Sequence, residues 1–518
     1  MLCKTFASAV HGVTARPITI EINIGGNVML GKNFYHLVGL PDVAVREGFH
    51  RIEAAIKNSK FRMLRKKTVV NLAPADIRKE GSAYDLPIAI GYLAATGQIP
   101  EDNVSDYVFM GELSLDGSLR PIKGALPIAI QARKDKFKAM IVPIQNVKEA
   151  AIVNDVEVYG VSTLKEAVEI VSGFSDAKPV EVDTRGEFRH NQSNYLIDFS
   201  DVKGQENIKR ALEIAAAGGH NVILIGPPGA GKTMLAKRLP TILPPLSLHE
   251  ALETTKIHSV AGLLPADTSL VTVRPFRSPH HTTSDVALVG GGTNPQPGEI
   301  SLAHHGVLFL DELPEFKRSV LEVLRQPMEE RRVTISRAKI SIDFPASFML
   351  IASMNPCPCG YYNHPEKDCV CDPHIINRYL NKISGPLLDR IDLHVEVTPV
   401  SYEKLASDER PSEKSEDIVK RVMRARAIQE KRFETMPNVY CNAQMPGRLV
   451  RRVCKINAEG QDLIKKAMEK LQLSARAYDR ILKVARTTAD LAGSDDIKME
   501  HISQAIHFRS LDRQNWAG

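Results

Sequence analysis

The sequence predicts an α/β protein made of three consecutive blocks. In residues 1–175, short β-rich runs such as "ITIEINI" and "AMIVPI" mix with helical patterns such as "DVAVREGFHRIEAAIKNS", which is typical of an α/β or α+β domain. Strands and helices alternate again over residues 200–398, and the pattern of residues 415–518 is helical. Polar stretches without periodicity at 176–199 and 399–414 therefore read as two linkers.

The composition favours a soluble globular protein. The chain has 518 residues, of which 43% are hydrophobic and 25% are charged, and this length suggests three domains. No run of eighteen apolar residues and no secretory signal is visible, so we expect a cytoplasmic protein with no membrane partner and with reduced thiols. The net charge of +6 permits a nucleic-acid partner without requiring one.

The middle block begins with a phosphate-binding pattern. The segment "NVILIGPPGAGKTMLAKRL" reads as an apolar strand, a glycine-rich loop and a helix. Backbone N–H groups of such a loop wrap phosphates, the lysine reaches the β and γ phosphates, and the hydroxyl ligates Mg²⁺. We therefore predict ATP and Mg²⁺ as cofactors, against the alternative of a chance glycine turn. The predicted nucleotide-binding residues are Gly226, Pro227, Pro228, Gly229, Ala230, Gly231, Lys232 and Thr233.

Polar side chains end two further apolar strands. In "GVLFLDEL", Asp311 is predicted to hold Mg²⁺ and Glu312 to polarise the water that attacks the γ phosphate. In "FMLIASMN", Asn355 is placed to orient the same water, although an asparagine that only caps the next turn is a serious alternative.

In these motifs the middle block resembles the AAA+ ATPases. The segment "GPLLDRIDL" is similar to the family's arginine-finger segment, which implies that Arg390 acts on the γ phosphate of a neighbouring subunit. The segment "LSARAYDRILKVART" is similar to the sensor 2 helix of a helical lid, which implies that Arg476 points at the nucleotide of its own subunit. A guanidinium stabilises the charge that spreads over a dissociating phosphoryl group. Arg480 and Lys483 compete with Arg476 for that role.

Longer motifs narrow the resemblance to the magnesium-chelatase-like group of AAA+ proteins. They include "RPFRSPHHTTSDVALVGGGTNPQPGEISLAHHGVLFLDELPEF", "NPCPCGY" and "RYLNKISGPLLDRIDLHVEV", and the resemblance covers essentially the whole chain. It implies a ring, usually of six copies, that moves on single-stranded and branched DNA as a helicase and drives branch migration in recombination and natural transformation. One alternative is the motor of a metal-insertion chelatase. The other is a protein unfoldase or protease, which needs an aromatic residue in a pore loop, and Phe276 is the candidate for that residue.

The first block resembles the proteolytic domain of Lon in "VVNLAPADIRKEGSAYDLPIAIGYL" and in the stretch that begins "MGELSLDGSLRPIKGALPIAI". A Lon-type protease needs a serine nucleophile and a lysine base within hydrogen-bond reach. The matching positions hold Ala83 and Leu126, while Ser82 and Lys123 lie one and three residues out of register. The resemblance thus implies an AAA+ core with a helical lid, preceded by a Lon-protease-like (ribosomal S5 domain 2-like) α+β domain that lacks the catalytic dyad.

A basic hairpin is predicted between the second carboxylate and Asn355. The segment "RRVTISRAKISIDFPASF" reads as two alternating strands joined at "SRAK". In related motors this hairpin faces the pore, so we predict phosphate contacts in a ring, against the alternative of charges that only keep a hairpin soluble. The predicted DNA-binding residues are Arg331, Arg332, Arg337 and Lys339.

Four of the seven cysteines lie in one loop, "CPCGYYNHPEKDCVC". Clustered thiols in a reducing compartment indicate metal binding, and four thiolates suit a closed, structural Zn²⁺ site. The predicted zinc ligands are Cys357, Cys359, Cys369 and Cys371, with His364 as a possible replacement for one thiolate and free or redox-active thiols as the alternative. We expect the loop to shape a subunit edge or a DNA-facing surface and to take no part in hydrolysis. The pairs His280–His281 and His304–His305 read as hydrogen-bonding residues, since no cysteine or carboxylate lies at ligand spacing.

Overall fold

The structure is a computed structural model of the chain. It describes residues 1–27, 34–190, 195–292, 295–337, 340–362, 364, 366–400, 413–471 and 473–509. Lys339 lies outside the described residues, and so does the side chain of Arg337.

The N-terminal part is a mixed sheet covered by helices. Its strands are β1 (Leu2–His11), β2 (Thr14–Asn27), β3 (Tyr35–Val38), β4 (Lys66–Ala73), β5 (Tyr107–Phe109), β6 (Glu112–Leu113), β7 (Leu119–Arg120), β8 (Ala139–Pro143) and β9 (Glu157–Val161). Its helices are α1 (Val43–Asn58), α2 (Asp85–Ala95), α3 (Ala125–Lys134), α4 (Val147–Ala150) and α5 (Leu164–Val171). The main sheet runs β3-β4-β2-β1-β5-β8-β9. Strand β1 is antiparallel to β2 and parallel to β5, and β8 and β9 continue the parallel pairing. The predicted mixture of α and β structure is therefore confirmed.

Helix α6 (Thr184–His190) follows inside the predicted linker. The sequence shows no sustained periodicity there, because this short helix buries little of its surface. Its Glu187 accepts a hydrogen bond from the Ser269 hydroxyl, so the segment is tied to the middle block rather than extended.

The middle part is a parallel sheet with helices on its faces. Its strands are β10 (Val222–Ile225), β11 (Phe276–Arg277), β12 (Gly290–Gly291), β13 (Gln296–Pro297), β14 (Val307–Leu310), β15 (Arg332–Arg337), β16 (Ile340–Pro345), β17 (Met349–Met354) and β18 (Leu393–Glu396). Its helices are α7 (Glu206–Gly218), α8 (Lys232–Arg238), α9 (Leu248–Ala261), α10 (Asp285–Val289), α11 (Glu299–Leu302), α12 (Arg318–Glu322), α13 (Arg325–Glu330), α14 (Pro373–Leu380) and α15 (Gly385–Leu388). The central strands run β11-β14-β17-β10-β18, and fully buried β10, β14 and β17 form its middle, as their unbroken apolar runs predict.

The C-terminal part is helical, as predicted. Its helices are α16 (Ser415–Phe433), α17 (Gly447–Val453), α18 (Ala458–Leu471), α19 (Ala475–Leu491) and α20 (Met499–His507). They share one apolar core with α7 and with strands of the middle sheet. Across the described ranges, no helix combines the length and the apolar composition needed to cross a bilayer.

The N-terminal and middle parts also share a core. Helix α9 packs on α3, and Leu246 and Ala251 are buried among N-terminal residues. At this contact the Gly124 N–H donates to the Ser259 carbonyl (3.0 Å), and the Ser259 hydroxyl donates to Glu149 Oε1 (3.1 Å). The N-terminal part is therefore packed directly against the helix that follows the phosphate-binding segment.

Candidate functional site

The candidate site lies where three neighbouring parallel strands end. Strand β10 pairs with β17 so that Ile225 is opposite Met354, and β14 pairs with β17 so that Leu310 is opposite Ala352. The carboxyl ends of parallel strands meet at one edge of the sheet, where open α/β sheets place their ligand sites. The sheet order thus brings the predicted loop, carboxylates and asparagine together.

Lys232 is at the centre of this edge. Its Nζ donates to the carbonyls of Gly226 (2.7 Å) and Pro227 (2.8 Å) and to Asn355 Oδ1 (3.0 Å). Burial lowers the pKa of Lys232, while the charges of Asp311 and Glu312 oppose that shift. Asn355 therefore does more than cap a turn, because its side chain contacts the lysine of the loop.

Thr233 and Asp311 form the adjoining pair. The Thr233 hydroxyl donates to Asp311 Oδ2 (2.7 Å), and the other carboxylate oxygen accepts hydrogen bonds from the Ser353 hydroxyl and from the Glu312 N–H. A hydroxyl and a carboxylate oxygen at this distance are hard oxygen donors of the kind that Mg²⁺ prefers. The two residues thus fit a magnesium–nucleotide complex. Ser353, which orients the carboxylate, has no distinguishing signal in the sequence because it lies inside an apolar strand.

Glu312 has a neighbour that the sequence analysis did not connect with it. Its side chain is exposed, its backbone has φ of +53°, and its Oε2 lies 3.6 Å from His281 Nδ1. His281 stacks on His280, whose Nδ1 hydrogen-bonds Thr282. The pair thus makes polar contacts at a loop, as predicted, and one member faces the carboxylate expected to polarise water.

Arg390 is held within its own chain. Its Nη2 lies 2.5 Å from Glu329 Oε1, its Nη1 donates to the Pro386 carbonyl (2.7 Å), and only 12% of the side chain is exposed. None of these contacts involves the loop around Lys232. Glu329 is at the end of α13, immediately before the hairpin β15–β16.

The three candidate cations of α19 have different surroundings. Arg476 is 64% exposed and its Nη1 is 4.0 Å from Asp389 Oδ2, beside Arg390. Arg480 is paired with buried Asp392 at 2.8 Å, and Lys483 donates to the Ala443 carbonyl while burial lowers its pKa to about 8. Arg476 is therefore the exposed one of the three. No hydrogen bond or ion pair found among the described residues connects it to the phosphate-binding loop of its own chain.

The predicted hairpin forms, with Ile335 opposite Ile342 and an apolar face buried against the core. Its base is not a free cationic surface. Arg331 is half-buried and donates to the Asn438 carbonyl (3.0 Å), and burial lowers its pKa. Arg332 is 56% exposed and lies 3.6 Å from Asp343 Oδ2. Arg337 is the last residue of β15, and the predicted Lys339 lies outside the described residues.

The four loop cysteines converge. Cys357 Sγ lies 3.3 Å from Cys359 Sγ and 3.7 Å from Cys369 Sγ, and the sulfurs of all four lie within 4.8 Å of one another. No disulfide bond joins any of the four. His364 is not part of the cluster, because its Nδ1 accepts hydrogen bonds from the N–H groups of Glu366 and Lys367.

A second group joins His304 and His305 to Glu253, a carboxylate distant in sequence. His305 Nε2 is 3.0 Å and His304 Nε2 is 3.6 Å from Glu253 Oε2. The Ser347 N–H donates to His304 Nδ1 (3.0 Å), so in the neutral ring Nε2 carries the proton and offers no lone pair to a metal. Burial lowers the pKa of His304 to about 4 and keeps the ring neutral. The two histidines and Glu253 therefore form a hydrogen-bonded cluster, as predicted. The expectation that no carboxylate lies near them is wrong, because Glu253 is distant only in sequence.

In the described ranges of the N-terminal part, Ser82 and Lys123 have separate surroundings and form no serine–lysine dyad. Ser82 donates to Glu112, and Lys123 packs against Gly262 of the middle part. Buried Leu126 occupies the lysine position, where its N–H donates to Glu149 (3.2 Å). Among the described residues, no hydrogen bond joins Ser82 to Lys123.

Comparison with family profiles gives three matches. The family described as "Magnesium chelatase, subunit ChlI" matches residues 198–405. Those described as "Subunit ChlI of Mg-chelatase" and "Magnesium chelatase, subunit ChlI C-terminal" match residues 24–146 and 412–509. The matches together extend over most of the chain.

Two individual proteins are similar over nearly the whole chain, and a third is similar over part of it. The competence protein ComM of Haemophilus influenzae is 43% identical over 99% of this chain and 98% of its own. The YifB protein of Escherichia coli is 43% identical over 98% of this chain and 96% of its own. Lon protease 2 of Bacillus subtilis is 31% identical over 28% of this chain and 27% of its own.

Proposed function

This chain belongs to the magnesium chelatase ChlI family, and from that premise we propose that it is an ATP hydrolase that works as a ring-forming DNA motor. The motor acts as a helicase that drives branch migration in DNA recombination and natural transformation. The observation that carries the proposal is the meeting of Lys232, Asn355, Thr233 and Asp311 at adjacent strand ends. The name of the ComM relative supports the assignment to competence.

We assign the hydrolytic roles as follows. Lys232 and the loop Gly226–Thr233 bind the phosphates, and Thr233 and Asp311 would hold Mg²⁺, whose charge would offset the negative charge that develops on the phosphoryl group. Glu312 orients and polarises the attacking water, and Asn355 positions both that water and Lys232. The exposure of Glu312 and the burial of Lys232 support this division, because water must reach only the first of them.

Arg390 and Arg476 complete the site of a neighbouring copy. The two lie on one edge of the chain, through the contact of Arg476 with Asp389, and neither contacts Lys232 of its own chain. The resemblance implied that Arg476 points at the nucleotide of its own subunit, so the role proposed here for Arg476 is a different one. A ring in which each copy supplies these arginines to the next, with six copies as the expected number, accounts for both placements.

DNA contact is assigned to the hairpin β15–β16. Since Arg331 is engaged by the C-terminal part and Arg332 lies near Asp343, the primary phosphate contacts are assigned to Arg337 and Lys339, which belong to the segment "SRAK" that joins the two strand patterns in the sequence. Cations repeated around a ring grip a phosphate backbone without reading bases. Single-stranded and branched DNA are therefore the proposed partners.

The cysteine cluster is proposed to hold one structural Zn²⁺ through Cys357, Cys359, Cys369 and Cys371. Four thiolates without a fifth ligand make a closed tetrahedral site. The number of zinc ions per purified chain tests this assignment directly.

A second candidate function is the motor of a metal-insertion complex, which the family descriptions favour. One assay separates the two. ATPase activity is measured with and without single-stranded and forked DNA, and strand exchange is followed in a branched substrate. Both measurements compare the parent with Lys232→Ala and Arg390→Ala. We expect DNA to stimulate hydrolysis in the parent and branches to move only with an intact Lys232.

The control for these variants is Arg133→Ala, an exposed arginine in the last turn of α3 in the N-terminal part. An active parent with no DNA stimulation and no branch movement would refute the DNA motor. Mixing Lys232→Ala with Arg390→Ala subunits should restore part of the hydrolysis, because one intact half-site from each can pair.

A further inference from the structure

The loop that carries the four cysteines touches the phosphate-binding loop. Gly360, which directly follows Cys359, lies against Pro228 so closely that a methyl group added at Gly360 would lie 2.5 Å from Pro228 Cδ. The backbone at Gly360 has φ of +83°, which side-chain-bearing residues rarely adopt. The close approach to Pro228 and the positive φ therefore each require glycine at position 360. Both features depend on the position of the cysteine loop.

The sulfur positions match a tetrahedral thiolate site. Zn–S bonds of about 2.3 Å at tetrahedral angles place sulfurs about 3.8 Å apart. The separations among Cys357, Cys359 and Cys369 are 3.3, 3.6 and 3.7 Å, slightly shorter than that spacing, so a small outward shift of the sulfurs would admit the ion.

The same loop continues from the catalytic edge of the sheet. Cys357 is fully buried and lies two residues after Asn355, whose side chain contacts Lys232. Strand β17, which ends just before Asn355, also receives the Gly226 N–H on its Met354 carbonyl (3.2 Å). The start of the cysteine loop is therefore fixed by the core, whereas its outer half has little apolar surface of its own.

We propose that metal bound by the four cysteines holds Gly360 against Pro228 and thereby keeps the phosphate-binding loop in its nucleotide-binding form. Without the metal, the outer cysteines no longer anchor the loop and Pro228 loses its support. The bound metal thus increases the affinity for nucleotide in addition to stabilising the cysteine loop. This inference rests on the proposed ATPase function and extends it: the expectation was that the loop takes no part in hydrolysis, and the inference gives it a role in nucleotide binding.

The first experiment removes the metal and keeps the buried half of the loop. The full-length double variant Cys369→Ser/Cys371→Ser is compared with the parent and with Cys3→Ser, a buried cysteine of the N-terminal part. Zinc content is measured, and a fluorescent ATP analogue is titrated in the presence of Mg²⁺. We expect one zinc per chain in the parent and in Cys3→Ser, none in the double variant, and an affinity at least tenfold weaker in the double variant.

The second experiment keeps all four thiols and disturbs only the contact. Gly360→Ala should retain one zinc per chain and weaken nucleotide binding by a similar factor. Its matched control is Gly97→Ala, which has φ of +71° and no heavy atom within 4 Å of the added methyl group, so it imposes backbone strain without a contact. The control should bind the analogue like the parent.

The outcomes separate this inference from the proposals beneath it. Zinc in the parent together with parent-like nucleotide binding by the double variant and by Gly360→Ala would overturn the inference and leave the zinc site standing. A parent without bound metal would overturn the inference together with the zinc site. A parent that contains zinc and does not bind the ATP analogue would refute the ATPase proposal, and the inference with it.

Discussion

Lys232 Nζ lies 3.0 Å from Asn355 Oδ1, so the side chain that ends one strand of the sheet restrains the lysine that follows another. The contact connects β10 and β17, which are adjacent in the sheet and separated by more than a hundred residues in the chain. Because the amide oxygen contacts the lysine, and no hydrogen bond found between described residues uses the amide N–H₂, that group can face a substrate. Asn355 can therefore position the lysine and the attacking water at once.

Asn355→Ala should lower the kcat of ATP hydrolysis by about 10²-fold, the usual cost of one lost positioning contact in the transition state. Nucleotide affinity should change much less, because Lys232 keeps its two carbonyl partners. Steady-state hydrolysis and equilibrium binding of an ATP analogue measure the two effects. Asn381→Ala, on the surface after α14, is the control. An unchanged kcat would return Asn355 to the role of a turn cap.

Glu312→Gln should abolish most hydrolysis while ATP binding persists, because the amide keeps the shape of the side chain and loses its basicity. We expect kcat to fall by roughly 10²-fold or more. A filter-binding assay with ATP should show nucleotide retained on the variant. Glu315→Gln, in the exposed turn that follows, is the matched control. If the variant hydrolysed ATP like the parent, another residue would have to polarise the water.

Glu329→Gln tests whether the ion pair with Arg390 restrains that arginine before it meets a neighbouring copy. A partly exposed ion pair is worth at most about 1 kcal/mol, so basal ATPase activity should rise by no more than about fivefold. The rate is measured at several protein concentrations, since the effect depends on assembly. Glu322→Gln removes a nearby pair, that with Arg325, and should leave the rate unchanged. A fall in rate would show that Glu329 orients Arg390 productively instead.

Glu149 predicts a pH dependence of stability. Its side chain is 7% exposed at the contact with Ser259, and burial raises its pKa to about 7, against the opposing effect of its hydrogen bonds. Below about pH 4.5 both folded and unfolded chains carry the proton. Between about 4.5 and 7 only the unfolded chain loses it, so the free energy of unfolding falls as pH rises, by about 3 kcal/mol at most.

Glu149→Gln should remove this contribution and flatten the profile between pH 5 and 7. Thermal unfolding followed across that range provides the measurement. Glu169→Gln, in an exposed pair on α5, should keep the slope of the parent. A variant whose slope matches the parent would show that Glu149 ionises without cost in the folded chain.

Asp490→Ala should destabilise the C-terminal helices by about 3 to 5 kcal/mol, because it removes the carboxylate that pairs with buried Arg486 and with partly buried Arg432. Asp490 is 2% exposed and accepts from Arg432 (2.6 Å), Arg486 (3.0 Å) and Asn442 (2.8 Å). Urea unfolding of the full chain measures the change. Asp462→Ala, which removes an exposed pair with Lys466, should leave the unfolding midpoint in place. Equal midpoints for the two variants would contradict the prediction.

Several parts of the fold and site could be predicted because their signals are local. The strand, loop and helix around Lys232 follow from a few adjacent residues, and the hairpin β15–β16 follows from alternation along its own strands. Helix α6 could not be predicted, since it is short and its contact with Ser269 lies far along the chain. The hydrogen bond from Arg331 to the Asn438 carbonyl could not be predicted either. The sequence next to a basic hairpin is the same whether an arginine is exposed to solvent or bonded to a distant segment.

The sequence by itself determined the chemistry that is available: a phosphate-binding loop, two carboxylates and an asparagine at strand ends, and four cysteines in one loop. Only the tertiary structure decided which of these groups touch. It placed Asn355 on Lys232, Gly360 on Pro228, and Glu329 on Arg390. The physical reason is that residue periodicity and turn chemistry act over a few neighbouring residues. Contacts between distant segments depend on the order of β14, β17 and β10 in the sheet, which no local pattern encodes.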